Sequence, residues 1–244
     1  MYLKKDFNMN QLLKVAITDF KLVFRDPSLR IFLVLPALIL VVILIALPAL
    51  VEAYPVVEEY VPIVLMGGMT QAPTMFGFIY CVVFIDEKDT QVAKMYGVVP
   101  VSKKGFVVYR LLFPFVFASL VTWLMLVVQP FYELPMASIA LLSFITGLVT
   151  PIMALSVAVF SKNKMEGMTW YKIINLLVTL PLAAFFIPKF GEAFGIIPTY
   201  WMFKGLNDLI ASSSILVPAL VAFAFSIVII AVLVRRHAIV HFRD

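Results

Sequence analysis

The sequence predicts an all-α integral membrane protein: six transmembrane helices behind an N-terminal amphipathic helix at the interface, with the N and C termini both cytoplasmic. Three observations lead there. Hydrophobic residues make up 63% of the 244 and mean hydropathy is +1.05, a composition whose surface could not stay in water. Six apolar stretches are of the order of the roughly 20 residues that a helix needs to cross a bilayer. With both ends inside, 17 of the 19 Lys and Arg fall in the N-terminal arm, two inner loops and the C-terminal tip, leaving only Lys189 and Lys204 outside. Basic residues close to span ends set orientation in that sense.

Taken in order, residues 1–30 carry six Lys/Arg against three Asp and no apolar core of signal-peptide length. Leu13, Ala16, Ile17, Phe20 and Phe24 recur at three- and four-residue steps, while Lys14, Lys21 and Arg25 lie on another face. That pattern describes a helix with one side in lipid and a basic side toward headgroups. Pro27 disfavours helix at Asp26 and turns the chain. Residues 31–244 form one transmembrane domain with spans at about 31–51, 61–85, 111–129, 135–160, 173–188 and 215–234.

The first of these spans is uncharged, and Glu52, Tyr54, Glu58, Glu59 and Tyr60 after it make an acidic, aromatic outer loop. The middle of the second is small and polar: Gly67, Gly68, Thr70, Gln71, Ala72, Pro73 and Thr74. Gly68 and Ala72 make a small-xxx-small step for close helix approach, and the Gln71 amide must find protein or water rather than lipid.

Residues 86–110 form a charged inner loop, read as a short helix followed by a turn at Pro100. A soluble partner could grip it and move the attached helices. Residues 161–172 form the second inner loop. The fifth span is short, with Asn175 and Thr179 on one face. After it Pro188, Gly191, Gly195 and Pro198 break the chain, predicting short helices in the outer interface instead of a free loop.

Glu87, Gly97, Pro100, Val101 and Ser102, with Lys103 and Lys104, resemble the loop after the second helix in permease subunits of type-2 ABC exporters. The opening amphipathic helix with Arg25-Asp26-Pro27, and the short fifth helix with a helical element after it, are similar to that family as well. Lys164-Met-Glu-Gly167, Lys172, Asn175, Pro181 and Ile197-Pro-Thr-Tyr-Trp201 look closest to its fluoroquinolone-export branch. The resemblance implies a separate ATP-binding subunit carrying ATP and Mg, and a second permease subunit, identical or not. It implies a drug- or antibiotic-like cargo, hydrophobic or amphipathic, and a multi-pass place in the plasma or inner membrane.

On that reading Asp86, Glu87, Lys88, Gly97, Pro100, Val101, Ser102, Lys103 and Glu166 make the ATPase-coupling contact. Gly67, Gly68, Thr70, Gln71, Thr74, Asn175 and Thr179 line the dimer seam or substrate path, with ordinary helix packing as their plain alternative.

The sequence excludes much else. No G-x-x-x-x-G-K-[ST] occurs, so the chain holds no phosphate-binding loop of its own and no cofactor is expected in it. Buried Ser and Thr have no base in their spans, which argues against an enzyme. Cys81 stands alone, and His237 and His241 have metal-ligand spacing but no third ligand and open solvent around them, so no metal is expected. The net charge of +5 serves topology and the bilayer surface, not nucleic acid. Two alternatives stay open: a non-transporting membrane scaffold, and an ion-coupled carrier, disfavoured because no span has an ionisable residue at its centre.

Overall fold

A computed structural model describes residues 27–90 and 103–241. The amphipathic helix expected before Pro27 and the turn at Pro100, with Gly97, Val101 and Ser102, lie outside the described residues. Among those described, six helices are long and apolar enough to cross a membrane: Arg30–Ala53, Pro55–Glu87, Gly105–Val128, Met136–Phe160, Lys164–Phe185 and Leu216–Ile239.

The six are not equivalent. The second and fourth spans are 83% and 89% buried, against 17–33% for the other four. They are also among the less hydrophobic, because a helix surrounded by protein needs small and hydroxylated surfaces for close packing, whereas one facing lipid needs only apolar ones. At their crossing stands Gly77: a Cβ there would lie 2.5 Å from Met153 Cβ and 3.1 Å from the Thr150 carbonyl. Gly147 gives a second close approach, where a Cβ would run into the Ser119 hydroxyl of the third span. Gly68 of the predicted small-xxx-small step is covered within the same chain, by Ile43 of the first span and Met125 of the third.

Prolines inside spans remove backbone donors, and neighbouring helices replace two of them. Pro73 has no N–H for the Met69 carbonyl one turn earlier, and Thr122 Oγ1 of the third span donates to that oxygen at 3.1 Å. Past Thr179 the fifth span tightens to a 3-10 turn, Leu180–Phe185, in which Pro181 offers no N–H to Val178. Thr199 Oγ1 supplies the bond at 2.8 Å. In the first span the helix passes through a π segment, Val42–Ala46, which ends two residues before Pro48. The fourth span breaks at Leu148, three residues before Pro151.

These repairs make a prediction. Thr122→Val keeps the shape of the side chain but leaves a buried carbonyl unmet, at an expected cost of about 1–3 kcal/mol. In a Pro73→Ala background the backbone N–H returns, so the same change should cost less, measured as thermal midpoints of the two pairs in detergent. Equal costs in both backgrounds would refute the repair.

Where the sequence predicts short helices after the fifth span, the structure has a 3-10 segment, Pro188–Ile196, and a return helix, Pro198–Ile210. Met202, Phe203 and Leu206 of the return helix are fully buried, packed against the fourth and sixth spans. Trp201 Nε1 donates to the Gly195 carbonyl at 2.7 Å and fixes the entry turn. Gln129 closes the third span: its Oε1 accepts from the Phe131 and Tyr132 amides at 2.9 and 3.0 Å.

Span limits differ from those the sequence suggests. The third helix begins at Lys103 and the fifth at Lys164, so charged residues expected in loops lie on helices. The reason is local: Asn163 Oδ1 accepts from the Glu166 amide at 3.0 Å and caps the fifth helix early.

Candidate functional site

The end of the bundle where the second helix stops and the third begins is tied together by charge. Glu87, last residue of the second span, faces Arg110 near the start of the third: Arg110 Nη1 donates to Glu87 Oε2 at 2.8 Å, and Nη2 lies 2.7 Å from Oε1. One hydrogen bond and one close ionic contact thus join the guanidinium to the carboxylate, and a charge-assisted bond of this kind is stronger than a neutral one. Arg110 is 1% exposed, and its guanidinium lies 5.0 Å from the Phe84 ring centre and 5.3 Å from that of Phe106. Burial and aromatic faces strengthen such a pair by keeping water away.

A second link is exposed. Lys164 Nζ, at the start of the fifth span, lies 3.4 Å from Asp86 Oδ1. Both side chains are half open to solvent, so the attraction is weak. Gly167 brings the fifth span against the second, since any Cβ there would strike Ile85. Glu166 is spent locally, its Oε2 accepting from the Lys162 amide at 2.8 Å. His237 of the sixth span packs at 5.0 Å from Phe84 and is buried, which corrects the expectation that it stands in open solvent. No cluster of three metal-binding side chains occurs among the described residues.

At mid-span the structure separates the predicted path residues. Thr70 and Thr74 are fully buried, and their hydroxyls donate to carbonyls of their own helix at 2.9 Å. Thr179 does the same toward Asn175. Gln71 lines a narrow cleft with Pro36, Ile39, Thr122 and Met125, about 10 Å³ in volume and so the size of one water. Asn175 lies elsewhere, one turn beyond Tyr171, whose ring packs 4.4 Å from Phe78. The Asn175 Oδ1 is buried without a hydrogen-bond partner.

A larger cavity, about 270 Å³, opens between the fourth, fifth and sixth spans and the first turn of the return helix. Its walls are apolar apart from Ser156 and Thr199, and none of the path residues predicted from sequence lines it. Sequence reading also passes over Arg110 as a partner of Glu87, and over Gly77, Thr122 and Thr199. A threonine has no readable duty until the proline it compensates is known to be its neighbour in space.

Residues 19–234 match the family model described as Fluoroquinolones export permease protein Rv2686c-like. No curated protein and no solved structure matches the chain.

Proposed function

From the premise that the chain belongs to the Rv2686c-like family of fluoroquinolone export permeases, and so is a multi-pass transport permease, we propose that it is the membrane subunit of an ATP-driven exporter. A separate ATP-binding subunit docks at the end carrying Glu87 and Arg110, on the cytoplasmic side, and a second permease subunit completes the pathway.

The observation that supports this most is the Glu87–Arg110 pair. With the weaker Asp86–Lys164 contact it links the ends of the second, third and fifth spans on either side of the 91–102 connection in the sequence. A push on that segment then moves several helices as a body, which is how a soluble engine can rock a membrane bundle between two states. Asp86 and Glu166 put charge at that end and the sequence adds Lys88 and Lys103, while ATP and Mg stay on the partner.

The cargo is of fluoroquinolone type, aromatic and amphipathic. In support, the central turns of the spans offer amides, hydroxyls and aromatic rings, and their ionisable groups stand near the ends.

The test is ATP hydrolysis by a candidate ATP-binding subunit co-purified with this chain and assayed with a fluoroquinolone. Asp86 is half exposed, so Asp86→Arg is expected to leave membrane yield unchanged and to cut stimulated hydrolysis by about fivefold through repulsion at the contact. Stimulation unchanged by Asp86→Arg would remove this end from the contact. An ATPase that never responds to the permease would favour the non-transporting scaffold.

A further inference from the structure

We propose that the 270 Å³ cavity between the fourth, fifth and sixth spans is a binding site for an uncharged, apolar ligand bearing one hydrogen-bonding group, with Ser156 as its polar anchor.

The size is close to the lower limit of ligand pockets, about 300 Å³, and the wall chemistry suits one. Val149, Ile152, Ile174, Leu177 and Ile229 supply the apolar surface. No charged side chain lines the cavity, so an ion or zwitterion would be desolvated there without compensation.

Ser156 is what separates this space from a packing defect. It is 8% exposed and makes no hydrogen bond among the described residues, although Ser119, Thr146 and Ser161 each donate to the carbonyl one turn back, the usual refuge of a hydroxyl in an apolar helix. The other hydroxyl on the wall, Thr199, has its proton committed to Val178. One donor is therefore left facing an apolar space. A lipid acyl chain would fill the volume and leave that donor unmet; an apolar ligand with a single carbonyl or ether oxygen satisfies both.

The site needs only the permease, so it stands or falls apart from the ATP-driven reading. The probe is 6-propionyl-2-(dimethylamino)naphthalene, an uncharged aromatic ketone whose carbonyl accepts one hydrogen bond, titrated into the purified full chain in detergent without nucleotide. Energy transfer from tryptophan reports binding, and empty micelles give the blank. Saturable binding is expected. Ser156→Ala should weaken it about fivefold, the worth of one hydrogen bond. Ile229→Phe, which fills the space, should weaken it by about tenfold or more. Leu177→Phe serves the same purpose should Ile229→Phe not fold.

Linear uptake equal to that of empty micelles would overturn the proposal. Saturable binding unaffected by all three changes would overturn it too, by placing the probe elsewhere. A phospholipid retained at one per chain and lost in Leu177→Phe would assign the cavity to an acyl chain instead. Loss of ATP-driven export alone, with probe binding intact, would leave the site standing.

Discussion

Gly77→Val is expected to remove nearly all folded protein from the membrane fraction. The added Cβ would sit 2.5 Å from Met153 Cβ and 3.1 Å from the Thr150 carbonyl, and neither atom is the end of a flexible side chain. The second and fourth spans would have to part at their crossing. Overpacking of this kind costs about 1–3 kcal/mol where side chains can adjust, and more where the obstacle is backbone, as here.

Because these two spans are the buried centre of the bundle, their separation loosens what packs on either side. Gly67→Ala is the control on the same helix. Its Cβ would meet only Leu182 Cδ1, at 3.7 Å, an ordinary contact, and alanine favours helix by about 1 kcal/mol. Size-exclusion profiles and thermal midpoints in detergent should show Gly67→Ala at or above the parent protein and Gly77→Val aggregated. A Gly77→Val protein as stable as its parent would mean that the two helices do not cross there.

Arg110→Met should carry the next largest effect. Arg110 is buried and Glu87 largely so, and removing one member of such a pair costs about 3–5 kcal/mol, whereas removing both is often nearly neutral. The double variant Glu87→Met/Arg110→Met is therefore expected to recover most of the stability lost in Arg110→Met. Failure of the double variant to recover would show that the two groups are not coupled.

The pair also determines how coupling to an ATPase should be tested. Glu87→Arg alone sets two guanidiniums face to face and would unsettle the bundle whatever it does to a partner. The exchanged variant Glu87→Arg/Arg110→Glu keeps the internal pair and reverses the charge shown outward. Retained stability with lost ATPase stimulation would separate docking from folding.

Much of this was legible in the chain. Six spans, the polar middle of the second, and short helices after the fifth follow from runs of apolar residues and from the cost of an amide in hydrocarbon. The ends of the spans were less legible. A hydropathy boundary falls at the nearest charge, but Glu87 and Arg110 neutralise each other, so both helices continue past it. His237 went the same way, covered by Phe84 although its neighbours in sequence are arginines.

The path residues were legible only as polar. That Thr70, Thr74 and Thr179 bond their own helices, while Gln71 and Asn175 do not, depends on which neighbours each helix face meets. Composition and the spacing of charges determined by themselves that the chain is a bundle of six helices with an unequal spread of basic residues, since the bilayer acts on each segment according to its own residues. The tertiary structure alone decided that the second and fourth spans lie at the centre, which carbonyl each threonine serves, and where a cavity remains. Those outcomes belong to pairs of helices, and no single helix encodes the shape of the one it will touch.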